Sequence, residues 1–206
     1  MIKYLGYTVT FQEIPNETTL CFNITNCPYH CKGCHSPELQ TDTGKDLEQD
    51  IIRIIERYID GITCVCFMGE GSDIDALERC MLIVSRYYPE LKIALYTGMD
   101  YILQDWSDMF DSNGNLIMSH DVQLSALLDY GRTYADLEKD YWFNTIHPLI
   151  NYVKLGHYDK DLGGLSYPKT NQRLIKVSEA DSTGQFDYRD ITPMFWEKNN
   201  ISERIS

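Results

Sequence analysis

The sequence predicts an α/β fold, a parallel sheet with outer helices, and three features carry that expectation. Apolar, β-branched runs alternate with longer amphipathic stretches, giving strand–helix–strand–helix–strand over residues 18–98. Each helical stretch is long enough to serve as a crossover between parallel strands. Each apolar run also ends directly in a polar segment marked by Gly or Pro, at the rim where such folds bind ligands.

Thr18–Ile24 is expected as a first buried strand, and Ile14-Pro15-Asn16-Glu17 is a turn signal joining it to an earlier strand around Tyr7–Phe11. A cysteine-bearing loop marked by Pro28, Gly33 and Pro37 follows. The next element is a helix from about Asp46 to Asp60, with Leu47, Ile51, Ile54, Ile55, Tyr58 and Ile59 in one stripe. Asp46, Glu48 and Asp50 suit its positive N-terminal end, and Gly61 its stop. Ile62–Met68 is a second strand ending in Gly69-Glu70-Gly71-Ser72-Asp73. Ser72 with Asp75 resembles a capping box, and Ile74, Leu77, Met81 and Val84 continue as a helix closed by Pro89. Leu91–Leu95 is a third strand ending at Tyr96-Thr97-Gly98.

Beyond Gly98 the pattern weakens. Asp100, Asp105, Asp108, Asp111, Asp121, Asp129, Asp136, Glu138 and Asp140 face only Arg132 and Lys139. A short strand at Leu116–Met118 and a helix at Val122–Tyr130 are the expectations there. This segment reads as an elaboration on the core, a solvated surface or else a docking face for a partner. Asn151–Leu155 is a late strand ending at Gly156. The chain after Ser178 is a polar tail, with Glu197–Ser206 frayed. The 206 residues are thus read as one domain, with an insertion at about 100–148 and a tail after about 178.

Composition is that of a globular protein, 43% hydrophobic and 24% charged. No apolar run approaches the roughly 20 residues of a membrane span, and Met1–Gly6 lacks the apolar segment of a secretory signal. A cytoplasmic location is the expectation. The net charge of −13 disfavours phosphate-driven binding of nucleic acid.

The seven cysteines divide into two groups. Cys21, Cys64, Cys66 and Cys80 lie within apolar elements, where free cysteine ordinarily packs, and packing is favoured over a second metal cluster. Cys27, Cys31 and Cys34 fall on one loop with the spacing Cys-x3-Cys-x2-Cys. Three thiolates so close can converge on a soft metal. Structural zinc normally takes four ligands, and an electron-transfer [4Fe–4S] cluster takes four cysteines. Three cysteines leave one iron of such a cluster without a protein thiolate, open to a small chelating ligand. His30 and His35 share the loop, and either could line the site or sit on the surface.

The loop Cys27-Pro28-Tyr29-His30-Cys31-Lys32-Gly33-Cys34-His35-Ser36-Pro37-Glu38 resembles the cluster loop of radical S-adenosylmethionine (SAM) enzymes. It is most similar to the activating enzymes of glycyl-radical enzymes, especially those of the anaerobic (class III) ribonucleotide reductase. Phe11-Gln12-Glu13-Ile14-Pro15, Phe67-Met68-Gly69, Tyr152-Val153-Lys154-Leu155-Gly156, Gly163-Gly164-Leu165 and Thr170-Asn171-Gln172-Arg173 add to the likeness, which covers about residues 7–98 and 150–177. The acidic middle has no counterpart in it.

The resemblance implies a partial (β/α) barrel of the radical SAM type. It implies a [4Fe–4S] cluster on Cys27, Cys31 and Cys34, with SAM bound at the open iron and cleaved reductively to a 5′-deoxyadenosyl radical. That radical would take a hydrogen atom from a glycine of the partner, the anaerobic ribonucleoside-triphosphate reductase. An electron donor such as flavodoxin or ferredoxin is implied as well. Gly33, Cys34, His35, Gly69 and Glu70 match positions lying against SAM. Where the family reads Gly-Gly-Glu/Asp, this chain reads Gly69-Glu70-Gly71, which leaves open whether Glu70 or Asp73 supplies a carboxylate. Thr97-Gly98 and Lys154 to Gly156 could meet the adenosine end, or be ordinary turns. The competing readings are an activase of another glycyl-radical enzyme, a small radical SAM synthase of the deazaguanine type and, outside enzymes, a zinc-binding interaction module.

Overall fold

The computed structural model of the chain describes residues 1–98, 149–178 and 188–196. Eight strands form one sheet in the order β3-β1-β2-β4-β5-β6-β7-β8. They are β1 (Lys3–Thr10), β2 (Thr19–Ile24), β3 (Lys45–Asp46), β4 (Cys64–Met68), β5 (Lys92–Tyr96), β6 (Tyr152–Leu155), β7 (Arg173–Val177) and β8 (Tyr188–Asp190). Helices α1 (Leu47–Tyr58) and α2 (Ile74–Tyr87) connect β2 to β4 and β4 to β5.

The sheet is mixed, which corrects the expectation of a parallel one. Strands β2, β4, β5 and β6 are parallel neighbours. The pairs β1–β2, β1–β3, β6–β7 and β7–β8 are antiparallel. The reason is connection length. Residues 11–18 are too few for a crossover helix, so β1 returns beside β2 as a hairpin arm. Phe11 lies beyond β1 and is exposed.

Strand alternation sorts the parallel centre into two faces. Leu20, Phe22, Ile24, Val65, Phe67, Ile93, Leu95, Val153 and Leu155 meet the helices. Helix α1 presents Leu47, Ile51, Ile54 and Ile55 to them, and α2 presents Ala76, Leu77, Cys80, Met81 and Val84. Arg79 reaches across from α2 to donate two hydrogen bonds to Glu48 of α1, at 2.6 and 3.0 Å. On the opposite face stand Cys21, Cys64, Cys66, Ala94 and Tyr152. Four of these five side chains are small, and the 11–17 segment packs against them. Its Ile14 is fully buried there, and Tyr96 donates a hydrogen bond to the Glu13 carbonyl at 2.6 Å.

Local signals explain the helix ends. Asp46 caps α1 by accepting from the Glu48 amide at 3.0 Å. For α2 the cap is Asp73, which accepts from the Ala76 amide at 3.0 Å. The expected Ser72–Asp75 capping box does not form, because the helix begins one residue later and the Ser72 hydroxyl accepts from Asn26 instead. The tail after Ser178 also differs from expectation. Strand β8 extends the sheet, Ile191 and Thr192 are buried, and the Trp196 indole donates to the Leu165 carbonyl at 3.0 Å. The expected strand at Leu116–Met118, the helix at Val122–Tyr130, the acidic segment and Glu197–Ser206 lie outside the described residues. Among those described, no helix is long and apolar enough to cross a membrane.

At the amino ends of the parallel strands Glu17 is buried and gathers three of them together. Its carboxylate accepts from Thr63 at 2.7 Å, from Tyr152 at 2.7 Å, and from the Lys92 ammonium. Burial alone would raise the Glu17 pKa. The hydrogen bonds from Lys92, Thr63 and Tyr152 outweigh burial and hold the carboxyl below its ordinary value. Glu17→Ala strips these donors of their acceptor and is expected to cost about 2 kcal/mol in urea unfolding. Because the folded pKa is depressed, the contribution of Glu17 is complete at neutral pH. It should shrink once pH falls below the unfolded value of about 4.3 and vanish below the folded one. Unfolding midpoints of wild type and Glu17→Gln, measured from pH 7 downward, should therefore converge.

Candidate functional site

The register of the parallel strands places Asn23, Met68, Tyr96 and Lys154 side by side. The segments that follow, 25–36, 69–73, 97–98 and 156–161, consequently leave the sheet at one rim. The cysteine loop is the largest of them. Its base is fixed by the Asn26 amide donating to the Thr41 carbonyl and the Cys27 amide to the Leu39 carbonyl, both at 3.0 Å. Asn26 (φ 61°), His30 (φ 46°) and Gly33 (φ 77°) have left-handed backbone and fold the loop back on itself. The Cys34 amide then donates to the Cys31 carbonyl at 3.2 Å, and the Ser36 amide to the Cys34 sulfur at 3.4 Å.

All three loop cysteines are half-buried. The Cys27 thiol is pushed above its ordinary pKa, first by burial and then by the charges of Cys31, Cys34 and Glu70, against a lowering hydrogen bond from the Tyr29 amide. Cys31 and Cys34 thus stand close enough to Cys27 to disfavour its thiolate. The three thiols do not converge on one point. Among the described residues no three His, Cys, Asp or Glu side chains stand around a common metal position. The donor set suits a soft metal, and the loop would have to draw its sulfurs inward to close on one.

The remaining cysteines are different in kind. Cys21, Cys64, Cys66 and Cys80 are buried in the two cores. Burial pushes Cys80 up to about 12 and raises Cys64 and Cys66 still further. Such thiols fill space and are poor nucleophiles or ligands.

Glu70 is buried within the turn after β4. Gly69 (φ 113°) and Gly71 (φ 65°) both take backbone that favours glycine, and the Gly69 amide donates to the Tyr96 carbonyl at 3.0 Å. A Cβ at Gly71 would lie 3.3 Å from the Thr25 carbonyl oxygen, so a side chain is disfavoured there by space as well as by φ. Of the two carboxylates in question, Glu70 points to the loop, accepting a hydrogen bond from Tyr29. Asp73 instead caps α2 and pairs with the amino group of Met1.

Tyr29 was not singled out by the sequence, although an aromatic with a polar handle between two candidate ligands is a usable signal. Its hydroxyl meets Glu70 and lies 3.2 Å from the Thr97 hydroxyl. Burial, and then the negative charge of Glu70, raise its pKa and keep it protonated as a donor. Lys154, at the end of β6, donates to the carbonyls of Thr97 at 3.2 Å and Gly156 at 2.7 Å. Gly33 and His35 lie on the outer side of the loop. Gly33 faces Lys160, and the His35 ring packs against Tyr158 in a tilted contact with centroids 4.1 Å apart. A cavity of about 380 Å³ lined by Lys32, His157, Tyr158, Asp159, Lys160 and Asp161 opens beside them. Cys27 and Glu70 therefore meet around Tyr29, while Gly33 and His35 face the β6–β7 connection.

No protein family, curated protein or solved structure was found to match the chain. The functional reading therefore rests on the residues of the rim and the resemblance of its motifs.

Introducing an acidic residue at position 71 should be costly. Gly71→Asp is expected to lower stability by about 1–2 kcal/mol, through unfavourable φ and the contact with Thr25, as measured by denaturant unfolding.

Proposed function

We propose that the chain is a radical SAM enzyme, with Cys27, Cys31 and Cys34 as ligands of a [4Fe–4S] cluster, and that it installs a glycyl radical on an anaerobic ribonucleotide reductase. The observation that carries this reading is the siting of three half-buried thiols on one loop at the carboxyl-end rim of four parallel strands. The family resemblance of that loop adds the nature of the metal centre, the partner and a partial (β/α) barrel for the surrounding fold.

When bound and reduced, such a cluster supplies the electron that cleaves SAM to methionine and a 5′-deoxyadenosyl radical. The chain's own contribution is positional. The loop presents three sulfurs that would have to draw inward to hold such a cluster, and the amino and carboxylate groups of SAM would take the iron left without a thiolate. The turn at Gly69, held to Tyr96, brings its backbone to the same rim. Cys34, Gly33 and His35, together with Tyr158 and Lys160 opposite them, form the side on which a bound nucleoside would be enclosed. Glu70 is assigned to the loop through Tyr29 rather than to direct contact with SAM.

Anaerobic reconstitution with iron and sulfide tests the proposal. The reduced protein given SAM should yield methionine and 5′-deoxyadenosine, and with the reductase a glycyl radical visible by electron paramagnetic resonance. A colourless protein holding one tight zinc would instead favour the interaction module. Turnover of SAM without a radical on the reductase would point to another glycyl-radical enzyme or a small synthase. Cys31→Ala should abolish iron uptake. Cys64→Ala should keep it and cost about 1–2 kcal/mol of packing stability in unfolding.

A further inference from the structure

Tyr29 stands between the first and second cysteines of the loop, and the ends of two strands hold it. Its hydroxyl donates to Glu70, from the turn after β4, and meets the Thr97 hydroxyl after β5 at 3.2 Å. Its ring lies flat against Gly98, where a Cβ would approach the ring to 2.6 Å. Glu70 and Thr97 are both buried. Thr97 is in turn fixed by its amide donating to the Lys154 carbonyl at 2.9 Å, and by the Lys154 ammonium donating back to its own carbonyl. The left-handed residues Asn26 and His30 flank Tyr29, so the backbone reverses on either side of this one anchored side chain.

We propose that Tyr29 and Glu70 are positioning residues that clamp the cysteine loop to the ends of β4 and β5, so that Cys27 is held while the Cys31–Cys34 arm closes on the metal. The inference rests on the reading of this loop as a metal loop. The physical case is that a loop with three reversals and few internal hydrogen bonds loses much conformational entropy on binding a metal. An anchor at its centre removes part of that cost beforehand, as preorganisation does at metal and binding sites generally. Glu70 suits the task because a carboxylate accepting from a phenol forms a charge-assisted bond, stronger than a neutral one. Gly98 is required because any larger residue would displace the ring.

The test compares wild type with Tyr29→Phe, Glu70→Gln, Glu70→Ala and Gly98→Ala after anaerobic loading with iron and sulfide. Tyr29→Phe and Glu70→Ala should lose iron to a chelator about tenfold faster, the equivalent of one charge-assisted hydrogen bond. Their reduced proteins should also show an altered paramagnetic spectrum. Gly98→Ala should do the same by moving the ring. Glu70→Gln keeps an acceptor oxygen and should restore most of the retention. The double variant Tyr29→Phe/Glu70→Ala should be no worse than either single change. Unfolding midpoints of the metal-free proteins should fall only by the shift that loss of one buried hydrogen bond brings. Unchanged iron loss and spectrum in Tyr29→Phe would overturn the clamp, as would losses matched by a general fall in metal-free stability. If wild type itself takes up no cluster, the metal reading fails separately. Hydrogen exchange of amides 27–35 in metal-free protein then decides the clamp: protection lost in Tyr29→Phe supports it, and protection unchanged overturns it.

Discussion

The parallel register of β2, β4, β5 and β6 is the constraint on which the rest of the molecule depends. Pairing Asn23 with Met68, Met68 with Tyr96 and Tyr96 with Lys154 brings four strand ends level. Segments far apart in sequence are thereby forced to share one rim, and the meeting of Tyr29, Glu70 and Thr97 follows from it. At the opposite ends Glu17 draws on the same alignment. It can accept from Thr63, Lys92 and Tyr152 only because β4, β5 and β6 begin together. The ends of the sheet thus carry different work, one a closed polar network and the other a set of open loops.

The two faces of the sheet show how composition adapts to what covers it. Helices present branched side chains and are met by Phe22, Phe67, Val65 and Leu95. The other face meets a length of loop backbone around Ile14, which approaches closely and leaves room for cysteine and alanine more readily than for leucine. This accounts for three buried thiols on adjacent strands without invoking metal chemistry. The raised pKa values of Cys64 and Cys66 follow from burial, and a thiol that cannot ionise is a small hydrophobe.

Much of this was legible in the sequence because it depends on neighbours along the chain. The stripe from Leu47 to Ile55 encodes a buried helix face through its spacing, and Asp46 caps the helix it precedes. The cysteine loop is legible for the same reason, as three ligand-type residues within one turn-rich stretch. The antiparallel edges were harder to read. That β1 pairs beside β2, and that β8 adds to β7, is decided by connection length and by which edge remains open. The cap at Asp73 displaced Ser72 because Ser72 is engaged by Asn26 from another loop, a contact no local pattern contains. Glu70 shows the limit most clearly. In sequence it stands where a glycine is expected, and only the pairing of β2 with β4 shows that it reaches Tyr29.

The electrostatics of the rim bear most directly on Cys27. Burial disfavours the Cys27 thiolate, and the neighbouring Cys31, Cys34 and Glu70 add to that cost. The Lys154 ammonium is directed to the carbonyls of Thr97 and Gly156. It fixes the backbone under Tyr29. With protons on the sulfurs the loop is three weakly polar groups at the edge of water. A soft metal, were one bound as proposed, would take these groups as thiolates and offset that cost. On that proposal the metal would drive the closure of the loop. The demand for order would then fall on the segment from Cys31 to Cys34, where Gly33 has the left-handed backbone that glycine adopts readily.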